Sequence, residues 1–170
     1  DGIANPVVAL RGSFHADAPY LQLFLNTTGF QTIVVSFNLR DIDASSRNSV
    51  QRFILQYRIG ALGWWTNLEG TYVPDASTGP GLATRVTPIH VTMPTACDNI
   101  RQLQLRVMTT NAAGNDEWIG VDDLSVTGTP LPMNVLGVNL GWGGCGTTAA
   151  TAERSFGCDD NEASFSLVGS

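Results

Sequence analysis

The feature that most constrains this chain is an alternation of apolar and polar side chains with a period of two. Ile33, Val35, Phe37 and Leu39 fall on one side of an extended segment. Phe53, Leu55, Tyr57 and Ile59 fall on one side of another, opposite Arg52, Gln56 and Arg58. Leu21, Leu23 and Leu25 alternate with Gln22, Phe24 and Asn26, and Leu103, Leu105 and Val107 alternate with Gln102, Gln104 and Arg106. Successive side chains of a strand point to opposite faces, so each run offers one face to a core and the other to water. No stretch longer than about ten residues keeps a helical period.

Turn residues punctuate these runs at Asn26–Gly29, Ser45–Asn48, Gly60–Gly63, Asp75–Gly81 and Asn111–Asp116. Many short strands without helices predict an all-β chain, an antiparallel jelly-roll-type β-sandwich. The sandwich is expected over residues 1–128, a linker carrying Pro130 and Pro132 over 129–134, and a Gly/Cys-containing C-terminal extension over 135–170. So short an extension cannot build its own core. It is expected to be a docked tail, a strand that pairs with a neighbouring molecule's sheet edge, or the truncated start of another domain. Trp142, set between glycines, and the short strand from Phe165 to Val168 are its candidate assembly residues.

Charge narrows the function classes. The 170 residues carry a net charge of −6, and all nine basic residues are Arg. Without a basic stripe, direct nucleic-acid binding through phosphates is not expected. No apolar run reaches the roughly 18 residues a membrane span requires. The chain begins at Asp1 rather than Met, as a chain trimmed of an export signal would, and as an isolated fragment would too. Of its three cysteines, Cys145 and Cys158 lie 13 apart in the Gly-rich tail, a spacing that suits a loop-closing disulfide in an oxidising compartment. Cys97 is then either buried and free or paired between chains. These signs point to a secreted, extracellular or cell-surface protein.

Two groups of residues are candidate sites. Asp41, Asp43, Asp116 and Glu117 fall at or near strand ends, and Asp122 falls within the last expected strand of the sandwich. Asp122 has the parity of Leu124 and Val126 and is expected to point inward, where a carboxylate needs Ca²⁺, an arginine or backbone N–H groups as partner. Convergence of the acidic residues would make a structural calcium site, since Ca²⁺ takes six to eight oxygens from several loops. Trp64 and Trp65 adjoin on an expected strand, so one should face in and one out, with Tyr72 just beyond. An outward Trp or Tyr can stack on a sugar ring; Trp118 is expected in the core. His15 and His90 lie far apart with no nucleophile motif near them, and no paired carboxylates stand out, so no catalytic residue is assigned. Asn26-Thr-Thr matches a glycosylation sequon, a surface-turn signal.

The segments VSFNLRDIDAS, LQYRIG, YVPDASTGPGLATRVTPIHVTMP and RVMTTNAAGNDEWIGVDDLSVTG, within residues 9–127, resemble a non-catalytic β-sandwich domain of secreted bacterial multidomain proteins. That domain often precedes extracellular nucleases of the endonuclease/exonuclease/phosphatase type. Residues 118–126 are also similar to the closing strand of MAM-like and concanavalin-like jelly rolls. The resemblance implies a sandwich in a secreted protein and carries over no catalytic residue. The resulting expectation is a non-catalytic extracellular binding or adhesion module for a glycan or cell-surface polymer, with a structural calcium ion where the acidic residues converge. The alternatives are self-association of a structural subunit through the C-terminal tail, as in an extracellular filament or surface layer, and a polysaccharide hydrolase or lyase on the same architecture.

Overall fold

The structure, a computed structural model, describes residues 7–42, 49–77, 85–112, 114, 116–132, 138–142, 145–150, 156–158 and 161–163; from 138 onward the backbone alone is described. The chain divides into two compact units, Asp1–Leu131 and Pro132–Ser170.

Among the described residues the first unit holds eight strands: β1 (Val8–Arg11), β2 (Tyr20–Leu25), β3 (Phe30–Asp41), β4 (Phe53–Ile59), β5 (Thr66–Asn67), β6 (Val86–Thr92), β7 (Leu103–Thr109) and β8 (Trp118–Pro130). They form two antiparallel four-stranded sheets, ordered β1-β8-β3-β6 and β2-β7-β4-β5. Apart from the β4–β5 hairpin, each successive strand crosses to the other sheet, which is the winding of a jelly roll. Pro88 sits in β6, an edge strand, where a missing N–H costs no ladder bond on the open side.

The core is built by the parity read from the sequence. In β3, Ile33, Val35, Phe37, Leu39 and Asp41 are buried while the intervening residues are not. Leu103, Leu105 and Val107 of β7 and Phe53 and Leu55 of β4 face them from the second sheet. Phe37 and Phe53 meet between the sheets in an edge-to-face contact with ring centroids 5.7 Å apart, the geometry the ring quadrupoles favour.

β8 departs from expectation in three places. It continues through Pro130, which pairs with Phe30, so residues 129–130 are strand rather than linker. Its buried apolar side chains are Ile119 and Val121, which leaves Trp118 facing outward at 41% exposure beneath the Arg11 guanidinium. Between the pairs Ser36–Ser125 and Asn38–Asp122 the register slips, and Asp123 adopts a left-handed conformation with φ 52°. That bulge reverses the parity. Asp122 therefore lies with Asn38 and Arg40 on the outer face, not inward with Val126, and its low exposure comes from its neighbours there.

The second unit contains two hairpins, β9 (Val138–Trp142) with β10 (Cys145–Ala150), and β11 (Phe156–Cys158) with β12 (Asn161–Ala163). Cys145 and Cys158 fall in different hairpins. Their side chains, and that of Trp142, lie outside the described residues, as do Phe165 and Val168 altogether.

Cys97 is free and fully buried, in a 3-10 turn (Thr95–Cys97). Burial, reinforced by the neighbouring Asp98 carboxylate, pushes its thiol up from 9.0 to about 11. The fold holds the protonated thiol, so the unfolded chain loses this proton at lower pH than the native one. The contribution to stability is complete below about pH 9 and is lost as the pH rises through about 11, on the order of 2–3 kcal/mol. The stability difference between the wild type and Cys97→Ala should shrink by that amount between pH 8 and pH 11 in urea titrations. At pH 8 the Cys97 peptide of the native protein should stay unmodified by iodoacetamide and become labelled on unfolding.

Candidate functional site

The chemistry of the first unit concentrates on the outer face of the second sheet. Residues of β2, β7, β4 and β5 that alternate away from the core form three rows across the strands: Tyr20–Met108–Ile54, Gln22–Arg106–Gln56–Asn67 and Phe24–Gln104–Arg58. None of these positions carries a carboxylate.

Arginines and amides on this face hold one another. The side-chain oxygen of Gln104 accepts from Arg58 Nη2 at 2.8 Å and Nε at 3.1 Å, and from Gln22 Nε2 at 2.6 Å. The Gln104 nitrogen donates to the Gly60 carbonyl at 3.1 Å. In the adjoining row Gln56 accepts from Arg106 Nε and donates to Asn67 Oδ1. A guanidinium only donates, so Gln104 and Gln56 are each turned with the side-chain oxygen toward an arginine, which fixes both partners in orientation.

Trp65 covers this network. Its ring lies 4.6 Å from the Arg58 guanidinium and 4.3 Å from that of Arg106, and Arg106 also lies 5.3 Å from the Tyr20 ring. These are cation–π distances. The backbone reason is local. Thr66 pairs with Tyr57 and Asn67 with Gln56, so the register continued by one residue sets Trp65 beside Arg58. Gly60, at φ +75°, turns the chain out of β4, and a Cβ on Gly63 would come within 2.7 Å of the Ile59 carbonyl oxygen. Side chains other than glycine at these two positions would move the loop that carries Trp64 and Trp65.

The strand carrying the tryptophans begins only at Thr66, so the expected in–out alternation of Trp64 and Trp65 does not occur. Trp64 is 94% exposed, and Trp65 is half-buried against the arginines rather than in the core. Tyr72 lines a hollow of about 260 Å³ on the same face with Arg52, Ile54, Gln56, Asn67 and Met108. A second hollow, about 450 Å³, opens at the opposite end of the strands between Phe24, Asn26, Ala61, Arg101 and Gln104, and its size falls in the range of ligand sites. Thus Trp65 and Tyr72 share one surface, and Trp64, next to Trp65 in the chain, projects into solvent. The tryptophan pair drew the eye in the sequence; Tyr20, Gln22, Phe24, Gln56, Arg58, Gln104 and Arg106 did not, although their outward parity on three separate strands was the signal.

The acidic candidates are placed elsewhere. Asp122 Oδ2 accepts from Arg40 Nε at 2.7 Å and its Oδ1 from the Asp123 N–H at 2.8 Å. Asp123 accepts from Asn38 Nδ2 at 2.9 Å. Asp116 lies 3.9 Å from Arg11. Glu117 and Asp41 are buried, and Glu117 accepts from the Ser49 N–H at 3.1 Å. Asp43 lies outside the described residues. Among the described residues no three of His, Cys, Asp and Glu are arranged to hold a metal ion, and no helix is long and apolar enough to cross a membrane.

No family model and no curated protein sequence matches the chain. Function is therefore read from the chemistry of this face.

Proposed function

We propose that the sandwich is a non-catalytic extracellular binding module that recognises a glycan or cell-surface polymer on the outer face of β2, β7, β4 and β5. The observation that carries this reading is the fixed network of Gln22, Gln56, Gln104, Arg58 and Arg106 beneath Trp65, beside the exposed Trp64. Sugar rings offer hydroxyls that pair with amides and guanidinium groups and C–H faces that stack on indole. Preorganised side chains lose little entropy when such a ligand binds. The resemblance to accessory sandwiches of secreted proteins agrees with this role.

The test is a glycan array followed by calorimetry on the positive polymers. Trp65→Ala removes the lid over both arginines and should weaken binding roughly tenfold or more, with Trp64→Ala weakening it less. Both variants should melt within a few degrees of the wild type, since neither ring belongs to the core. A protein that binds nothing on the array would sink the proposal.

A second reading, self-assembly through residues 135–170, draws on the hairpins β9–β10 and β11–β12. A two-stranded ladder leaves an outer edge on each strand that a second copy can extend. Light scattering of the non-reduced protein separates the two: assembly predicts a mass that rises with concentration, the binding module a constant one.

A further inference from the structure

We infer that the polymer bound on this face is acidic, a linear polysaccharide of uronic acid residues whose carboxylates seat against Arg58 and Arg106 beside Trp65; the inference rests on the glycan-binding reading above.

Charge placement carries the argument. The chain has a net charge of −6, yet four of its nine arginines gather on one face: Arg58 and Arg106 within the strands, Arg101 at the larger hollow and Arg52 at the smaller one. On the first sheet Arg11 and Arg40 are matched to Asp116, Asp122 and Asp123. Among the described residues no carboxylate pairs with Arg52, Arg58, Arg101 or Arg106. Arg58 and Arg106 are braced instead by amide oxygens, which orient a guanidinium without neutralising it.

Those two cations also repel each other. Burial, and after it the Arg58 charge, press Arg106 toward deprotonation against the opposing pull of Tyr20. An anion beside them offsets this repulsion. Arg106 spends only Nε on Gln56 among the described residues, so its two terminal nitrogens are open to a bidentate carboxylate, the geometry arginine matches best.

A polymer fits better than a single charged sugar because the positive charge recurs along the strands. From Arg52 to Arg58 is six residues of extended chain, about 20 Å, and Arg101 extends the series beyond. The row of amides between the arginines suits hydroxyl-rich rings.

The experiment measures binding of the full chain to polygalacturonate and alginate, with laminarin and mannan as neutral polymers and poly-dT as the nucleic acid. Polyuronates should bind roughly tenfold or more tightly than the neutral polymers, and their affinity should fall steeply between about 50 and about 500 mM sodium chloride. Arg106→Gln should reduce that affinity roughly tenfold. Arg52→Gln, at an exposed position with no side-chain partner among the described residues, should reduce it less and keep the melting temperature, which guards against misfolding of the first variant. Neutral polymers bound as well as polyuronates, or affinity untouched by salt and by both substitutions, overturn the acidic assignment and leave the glycan-binding reading standing. Preferred binding of poly-dT overturns the assignment to a polysaccharide. Silence with every polymer overturns both.

Discussion

Phe53→Ala should cost the sandwich about 3–5 kcal/mol, a large share of the stability of a domain this size. Phe53 is 1% exposed and sits where the two sheets meet. Its ring contacts Phe37 edge to face, so truncation opens a cavity and also removes an aromatic pair worth roughly 0.5–1.5 kcal/mol. The neighbours cannot close the space readily, because each is fixed by a strand ladder. Urea unfolding followed by tryptophan fluorescence should show a lower midpoint with an unchanged slope, the mark of lost native stability rather than an altered unfolded state. Phe24→Ala is the control: that ring is 74% exposed, and its loss should move stability by no more than about 0.5 kcal/mol. Equal costs at the two sites would contradict the assignment of core and outer faces on which the candidate site depends.

That assignment was readable in the sequence wherever a strand runs straight. In β3, β4 and β7 the alternation of Leu, Ile, Val and Phe with polar residues named the inward face correctly, because burial of one face fixes the register. It failed in β8. There the run Val-Asp-Asp-Leu-Ser-Val carries an apolar residue on both parities, and only the left-handed turn at Asp123 decides between them. Asp is one of the few residues that tolerates that conformation, yet nothing in a one-dimensional pattern distinguishes an Asp that makes a bulge from one that continues a strand. Trp118, expected in the core, lies outward because Ile119 and Val121 hold the inward parity on its side of the bulge.

The site was legible in part. Two adjacent tryptophans on an expected strand drew attention to this surface: Trp65 lies over its arginines and Tyr72 lines its smaller hollow. The arginines and glutamines were visible as outward residues of separate strands, but their meeting depends on the order β2-β7-β4-β5, a pairing between residues far apart in sequence, 82 positions for Gln22 and Gln104. Gln22 reaches Gln104 only because β2 and β7 are neighbours. The acidic residues misled for the converse reason. Expected positions at strand ends grouped them, whereas the fold matches Asp116 and Asp122 with arginines from β1 and β3.

Those pairings make the bulge in β8 the second place where one substitution should matter. Arg40→Leu leaves the Asp122 carboxylate, 6% exposed, with the Asp123 N–H as its remaining hydrogen-bond donor among the described residues. Losing a charge-assisted bond to so poorly solvated a group should cost about 2–3 kcal/mol in urea unfolding. Removing both charges is a different matter, because the desolvation that Arg40 offsets then disappears with Asp122. The double variant Arg40→Leu/Asp122→Leu should therefore be more stable than Arg40→Leu alone. Additive losses would mean that water reaches Asp122 and the pair contributes little. The bulge would then stand on the backbone and on the hydrogen bond from Asn38 to Asp123. The same comparison bears on the opposite face. Arg40 is neutralised and has a structural task, whereas Arg58 and Arg106 carry their charge unmatched. Arg106→Gln should thus leave the urea midpoint far less changed than Arg40→Leu does, since no buried carboxylate is orphaned by its loss.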